Sequence, residues 1–167
     1  MPDHRGSTDT NPQEFVCRLR SAAVCVRGGK VLLVRHERPT APEPYWVPPG
    51  GGVLPGETLQ GAALRELEEE TGYEGAVDGV FGFREVFKPA GTVFEVFFRV
   101  RLSADAPLQP NCEPQKVLKA ARWFTAGELA DLRVYPEAVA EWLRDPDRYS
   151  VATDALAMPP VTVAARY

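Results

Sequence analysis

The segment GGVLPGETLQGAALRELEEETGY, from Gly51 to Tyr73, holds four glutamates within five positions (Glu66, Glu68, Glu69 and Glu70) directly ahead of Gly72. Thr58 suits an N-cap and Gly72 suits the left-handed turn that ends a helix, so the spacing predicts a helix over Thr58–Glu70. Its capping box is incomplete, because Gly61 stands where a glutamate would reach back. At about 100° per residue, Glu66, Glu69 and Glu70 share one face. Leu59, Ala63 and Leu67 form an adjoining apolar stripe with Leu64 at its edge, and Glu68 points away. The acids crowd the last turn, where the helix dipole opposes each anion by roughly 0.3–1 kcal/mol and like-charge pairs add a few tenths. The chain must therefore cover the stripe with a sheet and leave the acidic face to solvent or to cations.

A lone ELEEE reads most simply as a solvated acidic face, but the flanking residues shift the balance. A divalent cation reverses the sign of every repulsive term, and three carboxylates on one face make a hard oxygen site suited to Mg²⁺. Arg65 precedes Glu69 by four residues, a spacing for a salt bridge that orients that carboxylate. Glu57 lies between loop and helix, placed to hold Arg65 from its other side. Upstream, PPGGG (Pro48 to Gly52) lets a loop pass close beside the helix. The Gly-Lys-Ser/Thr ending of a nucleotide-binding P-loop is absent from it.

Elsewhere, VCRLRSAAVCV (Val16 to Val26) reads as a strand, RGGK as a turn, and KVLLVR as a returning strand, so these two are expected to form a hairpin. The Pro- and Gly-rich run after His36 reads as loop, with a short strand around Tyr45–Val47. Two aromatic runs, GAVDGVFGFREVF and TVFEVFFRVRL, predict an antiparallel pair joined at Lys88–Gly91. KVLKAARWF predicts another strand, TAGELADL a short helix from Thr125, and YPEAVAEWLRD a further helix with Pro136 in its first turn. Mixed α/β architecture with hairpin pairings follows from this order. Residues 1–14 read as a flexible tail, 15–144 as the folded domain and 145–167 as an extension.

The Gly51–Tyr73 stretch resembles the Nudix box, G-x5-E-x7-R-E-U-x-E-E-x-G-U, where U is bulky and apolar. Gly51, Glu57, Arg65, Glu66, Leu67, Glu69, Glu70, Gly72 and Tyr73 fill it without a gap, Tyr73 being aromatic where an aliphatic residue is commoner. WVPPGGG before the helix and RWFTAGEL after it also resemble family sequences, and the similarity covers roughly Arg18 to Arg144. The resemblance implies an α/β/α sandwich with a mixed sheet. It implies Mg²⁺-dependent hydrolysis, with Mn²⁺ as a substitute, of a nucleoside diphosphate linked to another moiety. Glu66 and Glu70 would then be the firmest metal ligands and Glu69 a third ligand or the general base. Arg65 and Glu57 would orient them, and the backbone of Gly51 and Gly52 would lie against metal or phosphate. Several family members carry a further glutamate in the loop before the R-W strand. Glu113 is the residue this chain offers, although Lys116 stands nearer the strand where an acid is often seen. Glu69 ranks first as base and Glu113 second. The alternative, an inactive nucleotide-sensing module of the same fold, is disfavoured because such modules commonly lose box glutamates and none is missing here.

Substrate choice is less constrained. Arg35, His36 and Arg38 follow the second strand and read either as contacts to phosphate or ribose or as simple surface charge, and Tyr45, Trp46, Phe81, Phe83 and Phe87 could stack a base, though strand aromatics are mostly core. Pro89 leans faintly toward ADP-ribose through the family resemblance. ADP-ribose, other nucleotide sugars, (d)NTPs and dinucleoside polyphosphates all stay open. A net charge of −4 gives no electrostatic case for a nucleic-acid polymer or an anionic membrane. No apolar run nears the ~20 residues of a membrane span. Three cysteines without a CxxC pair make disulfide and zinc frameworks unexpected. Cytoplasm is the expected location. The run PPVTVAARY is a candidate strand for a partner subunit in a homodimer.

Overall fold

The computed structural model describes residues 16–39, 41–89, 91–104, 107–111, 117–145, 156–157 and 161–162. The expected tail over 1–14 lies outside them.

The strands form two sheets. In the first, β1 (Val16–Val24) runs parallel to β7 (Gly91–Leu102) and antiparallel to β5 (Gly50–Gly52). β7 in turn pairs antiparallel with β6 (Gly75–Lys88). The second is built on β3 (Lys30–His36), flanked by β4 (Tyr45–Val47) and β8 (Leu118–Thr125) and joined at its start by β2 (Val26–Arg27). The expected antiparallel aromatic pair forms as β6 and β7. The expected hairpin of Val16–Val26 with Lys30–Arg35 does not. The chain leaves the strand path at Cys25, only β2 turns through Gly28–Gly29 onto β3, and β1 belongs to the other sheet.

Strand period two sorts the core into two layers. Ala22 and Val24 join Val31, Leu33, Phe97 and Phe124 on one face, covered by α2 (Glu137–Arg144) through Val139, Ala140 and Leu143. Ala23 and Cys25 join Leu32, Phe98 and Val100 on the other, covered by α1 (Leu59–Thr71) through Ala63 and Leu67. This is the α/β/α sandwich with mixed strand directions that the resemblance implied. The small residues of β1 let α1 come close: Ser21 is fully buried, and its Oγ donates to the carbonyl of Leu59 at 2.6 Å.

The helix caps are as expected. Thr58 Oγ1 accepts from Gly61 N–H at 3.0 Å, and Gly72 adopts φ 74°, with its N–H on the carbonyl of Glu68. TAGELADL forms turns instead of a helix. Thr125 and Glu128 do make reciprocal capping bonds, but residues 133–135 are drawn into backbone pairing with Trp46, which leaves no room for the turn to propagate. Of the C-terminal extension, β9 (Leu156–Ala157) and β10 (Val161–Thr162) pair in parallel with β6 of the same chain. No helix among the described residues is long and apolar enough to cross a membrane.

Candidate active site

The sheet edge at β5 and the C-terminal half of α1 meet at three glycines. Gly50 N–H donates to Glu70 Oε2 at 3.0 Å. Gly51 faces the Glu66 carboxylate so closely that a Cβ there would stand 2.0 Å from Oε1. Gly52 contributes its carbonyl to Arg65 Nη2 at 3.1 Å, and a Cβ on it would meet nothing within 4 Å. PPGGG, expected as loop, is thus partly a short strand. Glycine is required at Gly51 because the carboxylate occupies the side-chain position.

Arg65 organises the acids. Its Nε and Nη2 grip Glu57 Oε1 and Oε2 at 2.9 and 3.1 Å, and its Nη1 reaches Glu66 at 2.9 Å and Glu69 at 3.2 Å. Glu57 also accepts from Leu54 N–H at 3.0 Å. The Arg65 bond first, and that backbone donor second, hold the Glu57 carboxyl below its ordinary pKa, while Glu57 and Glu66 push the Arg65 guanidinium upward. The expected Arg65–Glu69 bridge and Glu57–Arg65 contact are both present.

The three acids assigned to one face differ in environment. Glu66 and Glu70 side chains keep 15% of their exposure and Glu69 keeps 57%. Burial raises the pKa of Glu66, and the charges of Glu70 and Glu69 raise it further against the pull of Arg65. Among the described residues no three His, Cys, Asp or Glu side chains form a closed metal cluster. The acids are instead held by Arg65, Gly50 and, at 3.5 Å from Glu70 Oε1, His36 Nε2. The donor set still fits a divalent cation. It is all carboxylate oxygen, its negative charge exceeds that of the one arginine within it, and Glu66 is buried where ionisation is disfavoured unless positive charge is added.

Arg35 shares the strand face of Val31 and Leu33, and its guanidinium engages Glu37. Among the described residues it makes no hydrogen bond to Glu66, Glu69 or Glu70, and its buried Nε has no hydrogen-bond partner. Glu113 lies outside the described residues. His36, grouped with the phosphate-facing residues by sequence position, is buried beside Glu70 with its ring edge-on to Tyr45. Gly50 was missed as a functional position, and its only local signal is the glycine run. Tyr73, the aromatic departure from the box, is 3% exposed. Its hydroxyl accepts from Arg27 Nη2 at 3.3 Å and Trp123 Nε1 at 3.4 Å, contacts that no aliphatic residue could make.

A sandwich that presses an acidic helix end against a glycine strand, with an arginine clamp between, has the frame of a phosphoric-anhydride hydrolase. A family model described as NUDIX domain matches residues 18–145, and the chain belongs to that family. It is 36% identical over 126 residues to a protein of Mycobacterium tuberculosis called putative 8-oxo-dGTP diphosphatase 2, covering 74% of this chain and 84% of that one. A mouse diphosphoinositol polyphosphate phosphohydrolase 3-alpha is 38% identical over 78 residues, covering 45% of this chain and 44% of its own length. The fold matches that of a MutT NUDIX hydrolase from Burkholderia pseudomallei with a TM-score of 0.63 at 24% identity, over 75% of this chain and 97% of that one.

Proposed function

We propose that the chain is a Mg²⁺-dependent hydrolase that cleaves the pyrophosphate bond of a nucleoside diphosphate carrying a further group, in the (d)NTP or nucleotide-sugar class. The observation that carries this reading is the half-buried Glu66–Glu70 pair set against Gly50 and Gly51, short of positive charge. The intact box argues against a non-hydrolytic sensing module. The (d)NTP class is supported by the longer span of similarity to the protein called an 8-oxo-dGTP diphosphatase.

Glu66 and Glu70 would hold the cation, with Glu69 able to join them. When bound there, a divalent cation supplies positive charge against the diphosphate bridge and acidifies water. Glu69, the exposed acid, ranks first to take the proton of the attacking water, with Glu113 the second candidate. Arg65, held along the Nε–Nη2 edge of its guanidinium by both oxygens of Glu57, directs its Nη1 to Glu66 and Glu69 and so fixes their directions, and losses of such supporting contacts commonly cost 10–100-fold. Gly51 and Gly52 leave the approach to the carboxylates open to a phosphate. Arg35, on the neighbouring sheet and partly exposed, is a further candidate phosphate contact. Cytoplasmic location and action as a homodimer are further parts of this reading.

The test is phosphate release across nucleotide classes, with coupled phosphatase and with Mg²⁺ or Mn²⁺, for the parent and Glu70→Gln. The variant should lose most of its turnover while its melting temperature in EDTA stays close to that of the parent. Equal hydrolysis by both on every substrate would refute the reading.

A further inference from the structure

Among the described residues Glu95 is the only acid in the buried core, 6% exposed in the middle of β7. Arg20 of β1 and Arg84 of β6 lie opposite it in register, on either side. Arg84 donates to Glu95 Oε2 from Nε at 2.8 Å and from Nη2 at 2.7 Å. Arg20 donates from Nε to Oε1 at 3.2 Å. An Arg–Glu–Arg group around a buried acid is weak evidence for stability, because apolar residues of similar volume often serve as well or better. Such a group does fix geometry. What it fixes here is Arg20, whose Nη2 donates to the carbonyl of Gly50 at 3.0 Å.

Gly50 has no side chain to anchor it. Its N–H holds Glu70 Oε2, its carbonyl is held by Arg20, and its α-carbon rests on β1 so tightly that a Cβ would come within 2.6 Å of the Ala22 Cβ. We infer that Arg20, Glu95 and Arg84 are positioning residues for the metal site. The buried glutamate aims Arg20, Arg20 fixes the Gly50 backbone, and Gly50 sets the Glu70 carboxylate. The relay crosses β6, β7, β1 and β5 to reach a ligand on α1, and none of its three charged members touches a carboxylate of the cluster directly among the described contacts. It rests on the metal-site reading above and extends it.

The probe is Mn²⁺, titrated calorimetrically into the full chain, with amide exchange of Gly50 followed by NMR in EDTA. Arg20→Met keeps an apolar stem and leaves Glu95 paired with Arg84, so the fold should survive. Its Mn²⁺ dissociation constant should rise about tenfold, the low end of what supporting shells deliver. Its Gly50 amide should exchange faster without metal, and its substrate KM at saturating Mn²⁺ should stay within about twofold of the parent. Arg20→Lys, with one ammonium to serve both Glu95 and Gly50, should fall between. Glu95→Gln should weaken Mn²⁺ binding in the same direction, acting one step further back in the relay. A parental Mn²⁺ affinity in Arg20→Met overturns the relay. If KM rises while that affinity holds, Arg20 instead contacts substrate. A parent chain that binds no Mn²⁺ at all overturns the metal-site reading and the relay together.

Discussion

Three consecutive glycines should give three different phenotypes when each is changed to alanine, and Gly51 is the informative one. A Cβ at Gly51 would lie 2.0 Å from Glu66 Oε1 and 2.3 Å from its Cδ, where real contacts are not found below 3.0 Å. The atom that must yield is the end of a flexible side chain, so the carboxylate retreats by about 1 Å while the backbone stays. An off-rotamer Glu66 costs roughly 0.5–1.5 kcal/mol. At ~2–4 °C per kcal/mol for a chain of this size, the melting temperature should drop by about 1–6 °C. A displacement of ~1 Å at reacting groups costs on the order of 10²-fold in rate, or about 2.7 kcal/mol of barrier. Gly51→Ala should therefore stay folded and lose about a hundredfold in kcat/KM, measured by coupled phosphate release. Gly50→Ala should lose stability as well as activity, since its Cβ meets the Ser21 carbonyl oxygen at 2.5 Å and the Ala22 Cα at 2.7 Å, atoms of a strand that cannot step aside. Overpacking of this kind costs ~1–3 kcal/mol. Gly52→Ala meets nothing and should melt like the parent. Parental kcat/KM in Gly51→Ala would refute the argument, as would a Gly51→Ala chain that is less stable than Gly50→Ala.

Glu57 has a depressed folded pKa, so its contribution is present above its unfolded value near 4.5 and is lost as pH falls through the folded one. The stability gap between the parent and Glu57→Gln should thus be widest near neutrality and close below pH 4.5 in denaturant titrations; a gap independent of pH would contradict it. Burial pushes the Cys25 thiol up to about 12, whereas Cys17 is exposed. In a Cys112→Ser chain at pH ~8, iodoacetamide should alkylate Cys17 and spare Cys25 until denaturant is added, as read by peptide mass. Leu67, fully buried between α1 and the sheets, should cost about 2–5 kcal/mol when changed to alanine, seen as a lowered urea midpoint with unchanged slope.

The box helix was legible because its signals are local: Thr58 and Gly72 mark its ends, and Leu67 with the glutamates sets its faces. The aromatic pair β6–β7 was legible for the same reason, two apolar runs joined by a short turn. What failed was partner choice. Val16–Val24 is extended as expected, yet it pairs with Gly91–Leu102, far along the chain, and nothing local distinguishes that from pairing with Lys30–His36. Gly50–Gly52 has no side-chain pattern to mark it as a strand, and its pairing is set by the small residues of β1. The Thr125 capping box is real, but Trp46 captures the backbone that would have extended the helix. In the site, Arg65 and its carboxylates follow from helical spacing. His36, Arg20 and Glu95 reach it only through strand register, which sequence spacing does not encode.

The alternation along β1 has a consequence for how this chain can diverge. Arg20, Ala22 and Val24 serve one layer while Ser21 and Ala23 serve the other, and residues on both sides are in contact with something that matters. Inserting or deleting one residue there would swap every assignment, sending the arginine beneath α1 and the serine to the opposite side. The turn at Gly28–Gly29, where a side chain would meet only open space, has no such constraint. Relatives should therefore vary β1 by substitution and the turn by length.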